Sequence, residues 1–527
     1  VFTVSDKVQK AIQWLIVGAI FFAAVAIGIS TAGDYGISWD ENLKQGQAMY
    51  NYVMDRNQYI FYSGVDKYYG MAFELPLTFI EKIFKITDTR DIFIMRHMMT
   101  HLLFIVGAFF FFLIVKKHFK SWWLGILGAL FLMFSPRIYA HSFYNPKDLP
   151  FLSFFVISIY TLIRFADKKN IQNAIIHSIA SAVLMDIRIL GVILPVFTGF
   201  VFIMDLIFGE RRDAKTIFIN LGTLFIHYIA LLFFVVLFWP YLWENPIGTL
   251  LDVLKNMSKF PWDGVVLYMG NYVRAMELPW HYLPRWIMIS TPELYLGLFG
   301  VGLVAVVAMF IIKSDDCYHV RRNNILFLMW LVLPVAAVIL MRSVVYDAWR
   351  HIYFVYPALL LIALSALKGM YDIGRRVGVF FDVILRITVL GVVTAGLVPV
   401  AGFMIKNYPH EDVYFNRLAG KDMKEIKNLY ELEYWGLSYR KGLEYILRTD
   451  NRPVIKILGA NYPCQLNALI LAAKDRERLV FVTNEQEAHY FLSNFRLHKE
   501  DYPVDKSREY YSIEVGNAKI LVVYKLK

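Results

Sequence analysis

Residues able to do chemistry gather in three short stretches. The first is Gly33-Asp34-Tyr35-Gly36-Ile37-Ser38-Trp39-Asp40-Glu41. Ser38 and Glu41 stand in the S-x-x-E spacing of a capping box, which predicts a helix starting at Trp39 with Asp40 in its first turn. The helix dipole favours the ionised carboxylate there, and a rigidly held carboxylate is suited to taking a proton from a hydroxyl or amine. Read alone, Asp40 and Glu41 also suit a plain acidic helix start. The second stretch runs from Ser135 to Asp148, with prolines near both ends and Arg137, His141, Asn145, Lys147 and Asp148 between them. The third, Tyr346 to Pro357, holds Asp347, Arg350 and His351 among aromatic residues. Arg350 offers a planar fork suited to phosphate oxygens, or a side chain that snorkels to lipid headgroups.

What positions these residues is membrane. The chain has 527 residues, 58% hydrophobic, 17% aromatic and only 18% charged, against about 25% charged for a soluble domain. That composition excludes a disordered chain, a collagen-like fibre and a nucleic-acid-coating protein. Apolar runs long enough to cross about 30 Å of hydrocarbon recur, and about eleven helices are expected. They lie near 12–30, 97–115, 121–135, 149–165, 172–187, 189–208, 216–239, 292–312, 325–341, 351–367 and 378–405. The fifth and sixth meet at Asp186 and Arg188 and read as two full crossings or as two half-length helices packed inside the protein. Lone charges there cost about 2.5–3.5 kcal/mol each at mid-bilayer, so the two either pair with each other or mark a site.

Basic residues outnumber acidic ones 54 to 43. They fall on alternate connections, at Lys116 to Lys120, Arg164 to Lys169, Arg211 to Lys215, Arg321 and Arg322, and Lys368 to Arg376, with Lys7 and Lys10 before the first helix. The positive-inside rule then predicts a cytoplasmic amino terminus on an uncleaved first helix. Residues 1–405 are expected to form the membrane domain, with external loops 31–96 and 240–291, and residues 406–527 a small extracytoplasmic α/β domain. In the first loop, 42–54 and 72–84 have the periodicity of helices lying on the membrane surface. In the last segment strands are expected at 454–458, 479–483, 510–515 and 518–524, the last two turned by Gly516-Asn517, and helices at 465–473 and 485–495. Cys317 and Cys464 fall on opposite faces in this topology, so no structural disulfide is expected. His281 and His410 are isolated, and no metal-ligand spacing or Walker A sequence appears.

With these residues in view, the sequence resembles the GT-C glycosyltransferases that use polyprenyl-phosphate sugars, in particular bacterial relatives of the protein O-mannosyltransferases and the lipid A aminoarabinose transferases. The first helix, Asp40-Glu41, the surface helices, the polar loop ending in Lys147-Asp148, the short central helices and the Arg350 segment carry the likeness. So do Val413 to Gly420 and Glu433-Tyr434-Trp435-Gly436. The resemblance implies a polytopic helical fold in a bacterial inner membrane, glycosyl transfer at the outer face, Asp40 as the acceptor-activating base and Arg350 near the donor phosphate. Nucleotide sugars are cytoplasmic, so such an enzyme needs a membrane-delivered donor. A polyprenyl monophosphodiester carries one negative charge, which Arg350 with Lys147 or Arg188, helped by Arg137 and His351, can stabilise as it leaves. No cofactor and no obligatory metal are therefore expected. One base suffices for an inverting transfer to a glycan, lipid or protein acceptor, leaving Glu41, Asp34 and Asp148 to support it by orienting sugar or acceptor. Beyond donor, acceptor and membrane lipids no partner is expected, nucleic acid included. The alternatives are a secondary transporter or lipid-glycan flippase built on Asp186 and Arg188, which predicts related halves, and a non-catalytic scaffold.

Overall fold

A computed structural model describes residues 4–55, 68–209, 213–258, 262–311 and 318–527; Arg211, Arg212 and Cys317 lie outside them. The membrane part comprises α1 (Val4–Thr31), α2 (Leu43–Met54), α3 (Glu74–Ile83), α4 (Thr89–Phe119), α5 (Trp122–Met133), α6 (Pro136–Tyr144), α7 (Asp148–Asp167), α8 (Ile171–Ile187), α9 (Ile193–Phe208) and α10 (Ala214–Phe238). After α11 (Pro246–Ser258) and a hairpin of β1 (Val265–Tyr268) and β2 (Asn271–Arg274) come α12 (Tyr282–Ser290), α13 (Glu293–Ile311), α14 (Tyr318–Leu340), α15 (Tyr356–Val377) and α16 (Val379–Asn407).

Among the described residues nine helices are long and apolar enough to cross a membrane, and the α5–α6 pair, bent by 68°, makes a tenth when counted as one broken span. The protein is a multi-pass membrane protein. All eleven expected apolar segments are helical. Two of them are short: the third, α5, has 12 residues and reaches span length only together with α6, and the fifth, α8, has 17 because Arg188 takes extended backbone and ends it; the sixth continues through a 3-10 turn into a full-length span. Helices α7 and α15 are the most enclosed, whereas α1 and α16 expose most of their apolar surface. The core of the bundle is therefore built on the two helices that lead out of the polar stretches at Asp148 and Arg350.

Two expectations near the first loop need correction. The helix begins at Leu43, not Trp39, and its cap is Asn42, whose side chain accepts from the Lys44 amide at 3.0 Å. Half of the predicted capping box forms: Glu41 Oε2 accepts from the Ser38 amide at 2.7 Å, but the Ser38 hydroxyl donates to the Tyr144 carbonyl instead of accepting from the chain ahead. Asp40 thus sits in a tight turn.

The C-terminal region adds α17 (Met423–Leu429), α18 (Tyr439–Thr449), and a five-stranded sheet of β3 (Ile455–Gly459), β4 (Leu479–Phe481), β5 (Tyr490–Ser493), β6 (Glu509–Val515) and β7 (Ala518–Lys525) in the order β4-β3-β5-β7-β6. Strand β3 is parallel to β4 and β5, and the β6–β7 hairpin turns at Gly516, whose φ of 62° favours glycine. The helix expected over 485–495 is instead a 3-10 turn followed by β5. Tyr490 and Leu492 alternate inward as β5 pairs with β3 on one side and β7 on the other. The helix expected over 465–473 breaks into short turns. Cys464 is buried and free.

Candidate active site

One carboxylate from each of the three polar stretches meets a single guanidinium. Arg350 Nη1 donates to Asp40 Oδ2 at 2.8 Å and to Asp148 Oδ2 at 3.0 Å, and Arg188 Nη1 lies 2.6 Å from Asp148 Oδ1. Asp347 Oδ2 is 3.5 Å from Arg350 Nε. The result is a chain Asp40–Arg350–Asp148–Arg188 in which Arg350 and Asp148 are almost fully buried, while the Asp40 side chain keeps 23% of its surface exposed. Buried ion pairs hold together only when their remaining hydrogen bonds are satisfied. Asn145 does this for Asp148, donating from its amide to Oδ2 at 2.9 Å and accepting from the Asp148 amide at 2.9 Å.

Local structure explains each placement. Asp148 opens α7, where the helix dipole favours its charge. Arg350 starts a 3-10 turn that leads into α15, with Pro357 in the first turn of the helix. Its neighbours are tied down: Trp349 donates to Ser290 Oγ at 2.7 Å and Trp330 to the Phe354 carbonyl at 2.7 Å. Asp347 and Ala348 both have positive φ, 53° and 58°, a costly conformation for non-glycine residues that the packed surroundings impose. Asp40 is held from the other side of the molecule. Trp39 donates to the Tyr434 carbonyl at 3.0 Å, and the Asn467 side chain bonds both the amide and the carbonyl of Ile37. Tyr346 and Trp435 both lie 4.8 Å from the Arg350 guanidinium, sandwiching it in cation–π contacts.

Burial alone would raise the Asp40 pKa, but the Arg350 guanidinium, with Lys147, outweighs it and holds the carboxyl below the usual carboxylate range. At neutral pH the group is ionised. Asp347 goes the other way: burial lifts it to about 7 against the pull of Arg350 and Arg137.

Beside this chain lies a cavity of about 140 Å³ whose polar end is formed by Arg188, His351, Tyr69 and Tyr346. Its walls are apolar, with Ile189, Leu190, Met257, Val338 and Val344 among them. Lys147 Nζ stands 4.4 Å over the Tyr69 ring and Arg188 5.9 Å from it. A largely apolar cavity with Arg188 in its lining and Lys147 against Tyr69 beside it has the chemistry to take a lipid phosphate.

Of the residues singled out from sequence, Asp40, Asp148, Arg350 and Arg188 form one ion-pair chain, with Lys147 and His351 beside it. Three are engaged elsewhere. Glu41 bonds His97 Nε2 at 2.7 Å and the Ser38 amide, so it shapes the turn that carries Asp40. Asp34 accepts from the Tyr408 hydroxyl. Arg137 donates to the Tyr414 carbonyl at 3.1 Å between the rings of Trp286 and Phe415. Asp186 and Arg188 do not pair with each other, because Arg188 turns to Asp148 and the Asp186 carboxylate faces the backbone at Met71 and Ala72. Tyr69, His97 and Asn467 had no signal in the sequence. Tyr69 owes its place to Gly70, where a Cβ would lie 1.5 Å from Asp186 Oδ1 and 2.1 Å from the Asp186 carbonyl. Among the described residues no three His, Cys, Asp or Glu side chains are grouped to hold a metal ion.

Residues 76–243 match the family model described as dolichyl-phosphate-mannose-protein mannosyltransferase. That stretch contains Lys147, Asp148 and Arg188, while Asp40 and Arg350 fall outside it. Among solved structures, ArnT from Cupriavidus metallidurans in the apo state aligns with a TM-score of 0.51 at 11% identity, over 98% of this chain and 98% of that one. The same protein bound to undecaprenyl phosphate gives 0.50 at 11% identity, over 97% and 98%. At this identity the likeness is one of fold. No curated protein matches the chain in sequence.

Proposed function

We propose, from the premise that this chain is a membrane glycosyltransferase of the GT-C superfamily, that it transfers a sugar from a polyprenyl-phosphate donor to an acceptor at the extracytoplasmic face of a bacterial inner membrane, with inversion. The observation that carries the reading is the chain Asp40–Arg350–Asp148–Arg188 with the apolar groove opening beside Arg188. The polyprenyl tail lies along Ile189, Leu190 and Val344, and the phosphate meets Arg188, Lys147 and His351. Asp40, the partly exposed member of the chain, faces the acceptor.

In this reaction the acceptor oxygen or nitrogen attacks the anomeric carbon opposite the phosphate. The new glycosidic bond forms as the carbon–phosphate oxygen bond breaks, and the acceptor proton passes to Asp40 Oδ. The leaving group departs as polyprenyl phosphate, needing no proton from an acid. The Arg188 guanidinium and the Lys147 ammonium, joined by Arg350 as it turns from Asp40, supply at that oxygen the stabilisation for which a divalent cation would otherwise serve, so the reaction is proposed to proceed without one. Arg350 has a second part. While it binds Asp40 it makes that carboxylate a weak base; a donor phosphate that draws the guanidinium away restores basicity when the substrate is in place.

The test is Asp40→Asn in the purified full chain, with release of polyprenyl phosphate as the readout. The variant should bind donor and lose turnover by about 10²–10⁴-fold, the range for removing a general base. Full activity in the folded variant would reduce Asp40 to an ion-pair partner of Arg350, and a wild type that binds no polyprenyl-phosphate sugar would overturn the donor assignment.

A further inference from the structure

A second depression adjoins the Trp39–Asp40 turn. It lies where the β1–β2 hairpin meets the C-terminal region, with Tyr272, Lys427, Glu431, Phe495, Arg496 and Lys499 around it. Its enclosed volume, about 20 Å³, takes one small group and not a sugar ring.

Two of its cations are only partly partnered for their burial. Lys427 is 9% exposed, its ammonium stands 3.2 Å over the Phe495 ring, and Asp501 attracts it without coming into ion-pair contact among the described residues. Arg496 stacks on Tyr434 at 3.9 Å and lies 5.0 Å from the Trp39 ring. Its Nε has no hydrogen-bond acceptor, and the nearest carboxylate oxygen, Glu431 Oε1, is 3.9 Å away and equally without a donor. The other carboxylate of the wall does not fill the remaining deficit. Glu433 is engaged by the Leu437 amide, the Ser438 hydroxyl and the Asn494 amide group, and Lys519 is already paired with Glu509. Lys499 donates to the Gly270 carbonyl at 2.8 Å and has further N–H groups.

Burying a cation whose charge is only partly met is costly, and Lys427, which has no ion pair within contact, and Arg496, whose only carboxylate partner Glu431 stands off at 3.9 Å, face one depression and leave a place for an anion. Burial pushes the Lys427 ammonium down to about 8, and burial lifts Glu431 to about 7, so at neutral pH Glu431 is partly protonated and able to donate. Arg496 links the depression to the base directly, since the ring it covers, Trp39, is the residue before Asp40.

We propose that this depression is an acceptor-side anion subsite. Lys427 and Arg496 hold a phosphate or carboxylate group of the acceptor while its nucleophile reaches Asp40. This rests on the reading that Asp40 activates the acceptor, and it narrows the acceptor to a molecule carrying a negative charge close to its reactive hydroxyl or amine.

The probes are inorganic phosphate and acetate, with chloride at equal ionic strength as control, on the full chain in detergent micelles. One readout is the rate of Lys427 acetylation by a small amine-reactive reagent, resolved by peptide mass spectrometry. The other is equilibrium dialysis of labelled phosphate or acetate. Phosphate, acetate or both should slow Lys427 acetylation relative to chloride. Lys427→Gln and Arg496→Gln should each weaken binding of the protecting anion by about tenfold or more, as loss of one member of a buried charge pair does, with Lys427→Arg retaining it. Protection by phosphate alone identifies a phosphorylated acceptor, and protection by acetate alone a carboxylated one. Absence of protection by either anion, or unchanged anion binding in both glutamine variants, overturns the proposal. Neither readout needs turnover, so failure of the Asp40 assignment, read by polyprenyl phosphate release, stays separate.

Discussion

Asp40 meets two opposed demands. Burial disfavours its charge, the Arg350 guanidinium favours it, and the cation prevails, leaving the carboxyl below the usual range. As a depressed acid it contributes stability above its unfolded pKa of about 3.9, and that contribution is lost as pH falls through the folded value. Removing Arg350 shifts the balance upward, because burial is then opposed only by the weaker pull of Lys147. In Arg350→Gln the acid limb of the kcat/KM profile should move upward from its wild-type position, with an accompanying fall in maximal rate; a limb that stays in place would assign it to another group. Asp40, Lys147, Asp148 and Arg350 were legible in the sequence because charge at the rim of an apolar segment is rare and requires a reason. Tyr69 and His97 were not, since their roles arise only from contacts between distant segments: Tyr69 with Lys147 and Arg188, His97 with Glu41. Arg137 was expected to help Arg350 at the donor phosphate, whereas the fold turns it to the Tyr414 carbonyl.

The elements that hold these residues are legible in proportion to how local their causes are. Apolar length located the nine helices long enough to cross among the described residues, but it counted α5 and α8 as spans of their own and missed that α6 continues α5. The β6–β7 hairpin was visible through Gly516-Asn517, whereas β5 was read as helix because its strand character comes from pairing with β3 and β7. Packing between helices is the least local cause, and α13 against α15 illustrates it. A Cβ on Gly302 would lie 1.9 Å from the Ile362 carbonyl oxygen of α15, the helix that follows the Arg350 turn. Nothing lies within 4 Å of a Cβ on Gly297 of the same helix. Gly302→Ala should therefore lower stability in detergent by about 1–3 kcal/mol, the cost of overpacking, while Gly297→Ala should leave it unchanged or slightly improved. Thermal unfolding of the two variants side by side measures this, and equal behaviour would mean that α13 and α15 part without cost. A similar test applies to Asn467, which ties the Asp40 turn to the C-terminal region through Ile37 and Gly436. Asn467→Ala strands these buried groups at about 1–3 kcal/mol each, so kcat should fall together with stability.

At the scale of the whole molecule, charge is divided between two ends. At one end Lys117, Lys169 and Arg322 pair with Asp167 and Asp205, closing α4, α7, α9 and α14 together. At the other, acids accumulate where the C-terminal region covers the site, and burial lifts Asp347, Glu411 and Glu431 each to about 7. An acid whose folded pKa is raised contributes stability that is fully present below its unfolded pKa, near 4, and is lost as pH rises through the folded value. The three together predict that the junction weakens between about pH 4 and pH 7, by roughly 4 kcal/mol per group as an upper limit. Purified protein should accordingly unfold at a higher temperature near pH 5 than near pH 8 in the same detergent. Replacing all three by Asn, Gln and Gln should flatten that difference, since an amide of the same shape cannot ionise. A midpoint that rises with pH, or one whose pH dependence survives the triple replacement, would show that these carboxyls find counter-charge in the folded protein and that the junction is held together by ion pairs instead of by neutral acids.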